Sequence, residues 1–281
     1  MRNGSIMQKI KMAAIYIVLC FGALMILIPM YVTIITALKS PEETAKNFFA
    51  LPAHLYLNNF LTVIHEANFF YYIKNSLFIT LFSLLGIAFL VPLVSYAIAR
   101  NMKKRYYRII YILFISGAFV PFTILMVPQI KLMSNIHMLN SYGLILLYWC
   151  YSLSEGTLLT VSYILSGVPY ELEEAAYIDG AGVFYTFLKI VYPMMKPIIA
   201  SVIIMDVMWI WNDFQLPLLM LNASQKQWTL PLFQYNFQSQ YTVAYNLAFA
   251  AFMLSMVPIM IFYLAAQKQI MEGLTAGAVK A

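Results

Sequence analysis

Four carboxylates, Glu171, Glu173, Glu174 and Asp179, crowd one short segment of a chain in which only 10% of residues are charged. The chemistry open to them is charge complementarity, and such a segment reads as an element that docks against something soluble. A second group lies inside apolar stretches: Glu155, Asp206 and Asp213, with Trp209, Trp211 and Asn212 close by in sequence. A carboxylate near mid-bilayer costs about 2.5–3.5 kcal/mol on insertion scales, so Glu155 must face protein or water. Tyr148, Ser152, Glu155 and Ser162 share one helical face, and Asp206, Trp209 and Asp213 share another. Two readings of this second group are open. It forms a polar, aromatic-lined route, with Asn212 and Asp213 near its external end. Alternatively its groups hydrogen-bond neighbouring helices and fix the bundle.

The elements that position these residues follow from the pattern. Pro169 suits a first helical turn, acidic residues follow it at the positive helix end, and Gly180 and Gly182 stop the helix. A second amphipathic helix is expected from about Val183 to Tyr192, ended by Pro193 and Pro197. The segment 166–197 is therefore a helix–turn–helix with an exposed acidic face and an apolar face. A membrane crossing needs roughly 20 apolar residues for ~30 Å of hydrocarbon. Six stretches qualify: about 12–37, 76–99, 109–133, 142–166, 198–221 and 245–267.

The whole chain agrees. It is 63% hydrophobic, well above a soluble domain, which makes it an integral membrane protein. The net charge of +6 does not signal nucleic acid, because the cations sit at the ends of apolar spans. Arg100, Lys103, Lys104, Arg105 and Arg108 fill one short link, and Arg2, Lys9 and Lys11 precede the first span. The other side carries only Lys39, Lys46, Lys74, Lys131 and Lys226. The positive-inside rule then places both termini, the basic link and the acidic segment in the cytoplasm. The first apolar run is too long for a cleaved signal and reads as a retained anchor. Cys20 and Cys150 are expected to be buried free thiols, and His54, His65 and His137 form no metal-ligand constellation.

Glu174-Ala175-Ala176, Asp179-Gly180-Ala181, Phe187, Ile190, Pro193 and Pro197 resemble the EAA loop of ATP-binding-cassette importer permeases. Tyr192 departs from the pattern, since many members carry Leu before the proline. Asn59-Phe60, Phe69 and Asn75-Ser76 resemble the entry to the core of carbohydrate-type members, and Trp211-Asn212-Asp213-Phe214 resembles a segment common among them. The tail Gln267–Lys280 is similar to the C-terminus of the smaller permease of maltose-type importers. The resemblance implies an all-α integral membrane fold with six transmembrane helices, the type I importer permease fold. It divides the chain into an N-terminal tail, first span and external segment (1–69), a transmembrane domain (70–267) and a cytoplasmic tail (268–281).

The resemblance implies a non-catalytic permease that moves a sugar or oligosaccharide across the bacterial plasma membrane. ATP and Mg²⁺ would be bound by partners, because no glycine-rich phosphate loop with its lysine is present. The implied partners are a second permease, two ATPase subunits and an extracellular solute-binding protein. ATPase coupling would fall to Glu171, Glu174, Ala175, Ala176, Asp179, Gly180, Ala181, Phe187 and Pro193. The translocation path would comprise Glu155, Asp206, Trp209, Trp211, Asn212 and Asp213. The competing readings are an ion-coupled secondary transporter using Glu155, Asp206 and Asp213 as a relay, and a membrane scaffold or receptor.

Overall fold

The computed structural model of the chain describes residues 2–65, 67–235 and 244–278. Among them there is no strand. The chain divides into two compact units, Met1–Phe70 with Gln234–Val257, and Tyr71–Phe233 with Pro258–Ala281.

The first unit contains α1 (Arg2–Ala37), α2 (Pro41–Lys46), α3 (Asn58–His65) and the opening of α14 (Tyr245–Ala278). None of the apolar window of α1 is buried within the chain, so that helix presents its apolar surface outward. Asparagines fasten this unit. Asn59 donates to the carbonyls of Ala37 and Lys39, both at 2.8 Å. Asn246 donates to Thr36 O, Lys39 O and Thr44 Oγ1. Buried amides of this kind persist only when their bonds are made.

The second unit holds α4 (Phe69–Arg100), α5 (Arg105–Ala118), α6 (Phe122–Asn135) and α7 (Ser141–Gly167). After these come α8 (Glu171–Ile178), α9 (Val183–Thr186), a π-helical turn (Phe187–Val191) and α10 (Tyr192–Met194). The unit continues through α11 (Lys196–Asn212), α12 (Gln215–Leu221), a 3₁₀ turn (Gln225–Gln227) and α13 (Leu230–Tyr235). Close packing of α4 on α7 depends on small residues. A Cβ on Gly86 would sit 2.1 Å from the Trp149 indole, whose Nε1 donates to Ser83 O at 3.0 Å. At Gly156 a Cβ would fall 2.8 Å from Val91. Such contacts let helices approach where no hydrophobic force separates protein from lipid.

Among the described residues four helices are long and apolar enough to cross a membrane, and up to six crossings result if each of two bent pairs is one. Two expected spans are not continuous. The span at 109–133 bends by 108° between α5 and α6, where Pro121 lacks an N–H and disfavours helix before it. The span at 198–221 ends at Asn212, because Asp213 turns the chain and its Oδ1 accepts the N–H of Gln215 (3.0 Å) and Leu216 (3.3 Å). α11 itself meets Val183–Met194 at 74°.

Other expectations also shift. Cys20 and Cys150 are free but exposed, since an apolar span residue needs lipid rather than protein around it. Of the aromatic run at the start of α4, Tyr72 is buried and stacks on Phe233 at 4.4 Å, whereas Phe70 and Tyr71 stay exposed. Asn75 donates to the carbonyls of Lys226 and Trp228, and Ser76 Oγ accepts from Leu230 N–H, so this motif ties down the loop after α12. Residues 236–243, and Val279 and Lys280 of the tail, lie outside the described residues.

Candidate functional site

Two polar regions of the second unit merit description residue by residue. The first is the acidic segment. Pro169 lies ahead of α8 rather than in it; the helix begins at Glu171 with Tyr170 at its N-cap, and Glu171, Glu173 and Glu174 occupy the first turn. There they face the positive end of the helix dipole. The C-terminus closes as a Schellman turn: Ala181 N–H reaches Ala176 O (2.9 Å) and Gly180 N–H reaches Tyr177 O (3.1 Å). Gly180 has φ +84°, where a side chain is strained, although open space surrounds it. Gly182 has φ −78° and serves as the N-cap of α9, so only Gly180 is required by conformation.

The second helix of the segment does not stop at Pro193. α9 passes into the π-helical turn, in which Tyr192 N–H bonds to Phe187 O, and helix continues through Pro193 to Met194. Pro197 instead sits in the first turn of α11, where a missing N–H is harmless.

Of the four carboxylates expected on an exposed acidic face, Glu171, Glu174 and Asp179 are exposed and Glu173 is not. On a 3.6-residue period Glu171, Glu174, Ala175 and Ile178 share one side of α8, and Glu173, Ala176 and Tyr177 share the other. The first set is exposed, with Ile178 86% accessible. Glu173 is wholly buried, and Ala176 beside it is buried too. The Glu173 carboxylate accepts from Arg100 Nε (2.7 Å) on Oε1 and from Tyr96 Oη (2.7 Å) on Oε2. Arg100 Nη2 stands 2.6 Å from Oε1 and also donates to Val168 O at 2.8 Å.

Sequence reasoning counted Arg100 only as a topology cation and Glu173 only as part of the acidic face. The spacing of Glu173 with Ala176 was the available signal. Phe187 is likewise buried, 5.2 Å from the Tyr96 ring, in a core with Val161, Ile164, Val191 and Met195. The outward side between α8 and α9 is concave, a cavity of about 660 Å³ lined by Leu172, Ala175, Asp179, Gly180, Ala181 and Tyr185, among others. Ile178, Val183 and Phe184, in the same two helices, are exposed.

The second region lies between α7 and α11. Ser152 Oγ donates to Asp206 Oδ2 at 2.7 Å, and Tyr148 Oη donates to Asp213 Oδ2 at 2.9 Å. Asp206 and Tyr148 are buried, so these bonds tie helix to helix. Trp209 meets Tyr148 and Tyr151 edge-on, with centroids 5.4 and 5.8 Å apart, and stays 42% exposed. Together with Tyr151, exposed Glu155, Asp213, Gln215 and the Pro121–Phe122 break, it lines a cavity of about 350 Å³. Trp211 is buried on another face, beside Leu77, Thr80 and Pro258. Asn212 spends its amide on Met208 O of its own helix, and Ser162 bonds Leu158 O in the same way. The structure thus brings Glu155, Trp209 and Asp213 to one cavity, makes Asp206 a tie, and leaves Trp211 and Asn212 outside it. Among the described residues no cluster of three or more His, Cys, Asp or Glu could hold a metal ion.

Among the described residues, helices alone, several long and apolar enough to cross a membrane, with a polar cavity between two of them, define a class: helical integral membrane proteins. The chain belongs to the family described as "Binding-protein-dependent transport system inner membrane component", which residues 92–274 match. It is similar to the multiple sugar-binding transport system permease protein MsmG of Streptococcus mutans serotype c, 41% identical over 97% of this chain and 99% of that protein. It is also similar to the "Probable starch degradation products transport system permease protein AmyC" of Thermoanaerobacterium thermosulfurigenes, 35% identical over 90% of this chain and 91% of that one. A crystal structure of a bacterial ABC transporter involved in import of the acidic polysaccharide alginate contains a chain of the same fold. Its TM-score is 0.80 at 20% identity, over 92% of this chain and 96% of that chain. The protein is therefore a multi-pass inner-membrane permease of the ATP-binding-cassette importer type, a transport subunit rather than an enzyme, working with a binding protein.

Proposed function

We propose that this chain is the permease through which an oligosaccharide enters the cell, driven by ATP hydrolysis on partner subunits. The observation that carries the reading is the loop 171–194: a short helix with an exposed face and concavity, anchored on its opposite face to the ends of α4 and α7. Glu174 and Glu171 supply charge toward an ATPase subunit, Ala175 permits close approach, and the strained Gly180 fixes the bend. Ala176, buried, forms part of the lining of the concavity, and Phe187 packs the loop onto the bundle from inside. Asp179, Ala181 and Pro193 shape the two ends of the lever. ATP and Mg²⁺ are held by two ATPase subunits, a second permease completes a heterodimer, and an extracellular solute-binding protein delivers the sugar. Both termini and the loop face the cytoplasm. Nucleotide binding biases a rigid-body change between inward- and outward-facing states.

The substrate class rests on the relatives named for sugars and on the α7–α11 cavity. There a partly exposed Trp209 stands in T-shaped contact with two tyrosine rings, and Glu155 and Asp213 supply hydroxyl acceptors. Such a combination suits a pyranose, which has hydroxyls and an apolar face. The comparisons lend no support to the ion-coupled carrier. In proteoliposomes holding the assembled complex, uptake of maltotriose, a starch degradation product, is expected with ATP on the ATPase side. Uptake driven by a proton or sodium gradient without ATPase subunits would overturn the reading.

A further inference from the structure

Glu173 differs from its acidic neighbours in every respect the structure records. It alone of the carboxylates in the segment is buried, and both its oxygens are bonded. Its partner Arg100 is the last residue of α4, and the pair is the one ion pair among the described residues. The same guanidinium reaches Val168 O, the C-cap of α7, and lies over the Tyr170 ring that starts α8. Tyr96, one turn earlier on α4, adds its hydroxyl to Glu173 and lies 3.3 Å from the Tyr177 hydroxyl. One buried charge pair thus fastens three helix ends together: α4, α7 and α8.

The other route out of the loop is built differently. From α9 the chain runs through a π-helical turn held to α4 by Tyr192 Oη on Ala88 O (3.1 Å) and to α7 by Tyr163 Oη on Met194 O (3.2 Å), and only then makes a 74° bend into α11. We propose that Glu173 and Arg100 form a positioning strut. It makes the loop move as one body with α4 and α7, and leaves the bend between Met194 and Lys196 to absorb the change of angle. Glu173 on this account does not touch the ATPase; it acts by holding α8 so that Glu171 and Glu174 can. The proposal rests on the coupling role given to the loop above.

The test uses the full importer, reconstituted with its binding protein, second permease and ATPase subunits. The probe is whichever of maltotriose, raffinose and melibiose the wild-type assembly accumulates. Glu173→Gln is expected to keep the ATPase subunits bound through purification while sugar moved per ATP hydrolysed falls at least fivefold. Tyr96→Phe, which removes one hydroxyl, is expected to lower the same ratio about twofold, and it decides the matter if Glu173→Gln does not reach the membrane. A merely structural role would lower the amount of assembly without changing the ratio. Wild-type ratios in both variants would overturn the strut. So would loss of the ATPase from Glu173→Gln but not from Glu174→Lys, since Glu173 would then be the contact. Normal assembly and transport in Glu171→Lys/Glu174→Lys would instead overturn the docking reading of the loop, while a lowered ratio in Glu173→Gln would still stand.

Discussion

The loop 171–194 and the cavity between α7 and α11 both place carboxylates against apolar surroundings, yet they resolve the problem in opposite ways. At the loop, Glu173 is charge-paired and fully hydrogen-bonded, with no access to solvent. In the cavity, Asp206 and Asp213 lean on neutral hydroxyls, and Glu155 stays exposed beside a half-exposed Trp209. A saturated buried pair holds one geometry, because any displacement leaves a charge uncompensated. Neutral bonds around open volume hold the helices together and leave groups free for a passing solute. The difference matches the two roles proposed above, a first region that transmits force and a second that a solute traverses.

Breaking the charge pair is the most disruptive way to test that contrast. Arg100→Met leaves Glu173 buried without its cation, and an unpaired buried charge costs about 3–5 kcal/mol. The purified protein should show a markedly lower unfolding temperature in detergent. In the cavity, Tyr148→Phe deletes one hydrogen bond to a carboxylate, worth about 1.5–3 kcal/mol; thermal unfolding should register a smaller loss than for Arg100→Met. At Gly180 the cost of a side chain at positive φ is about 1–2 kcal/mol. Gly180→Asp should accordingly insert in the membrane, yet abolish sugar-stimulated ATP hydrolysis because the bend and its local charge both change. Trp209→Ala gives up two edge contacts of about 0.5–1.5 kcal/mol each. Its expected effect is functional: the sugar concentration for half-maximal transport should rise about tenfold while ATPase binding is unaltered. Equal stability losses for Arg100→Met and Tyr148→Phe would erase the comparison.

Much of this arrangement could be read from residue order. Apolar runs long enough to span, with cations at their ends, are decided by composition over about 20 residues, so four helices lie where hydropathy puts them. The turn at Gly180 follows from a local rule, since glycine suits the left-handed position of a Schellman turn. The sequence pattern was less informative wherever a distant partner decides. Nothing near Glu173 in the chain announces Arg100, which lies 73 residues away. Hydropathy equally could not separate Trp209 from Trp211; helix rotation against α7 turns one toward the cavity and buries the other elsewhere. Prolines misled in both directions. Pro121 breaks an apolar run that hydropathy reads as continuous, and Pro193 fails to stop a helix because a π-helical turn precedes it.

The central claim is that α8 has two faces, one held by the bundle and one offered to an ATPase subunit. Single cysteines at positions 173 and 174, in a background with Cys20 and Cys150 replaced by serine, test it through thiol cross-linking in the assembled importer. The account predicts that Glu174→Cys forms an adduct with an ATPase subunit, in a yield that changes with ATP, and that Glu173→Cys forms none. Cross-linking of Glu173→Cys but not Glu174→Cys, or labelling of position 174 by an impermeant reagent from outside intact cells, would contradict it.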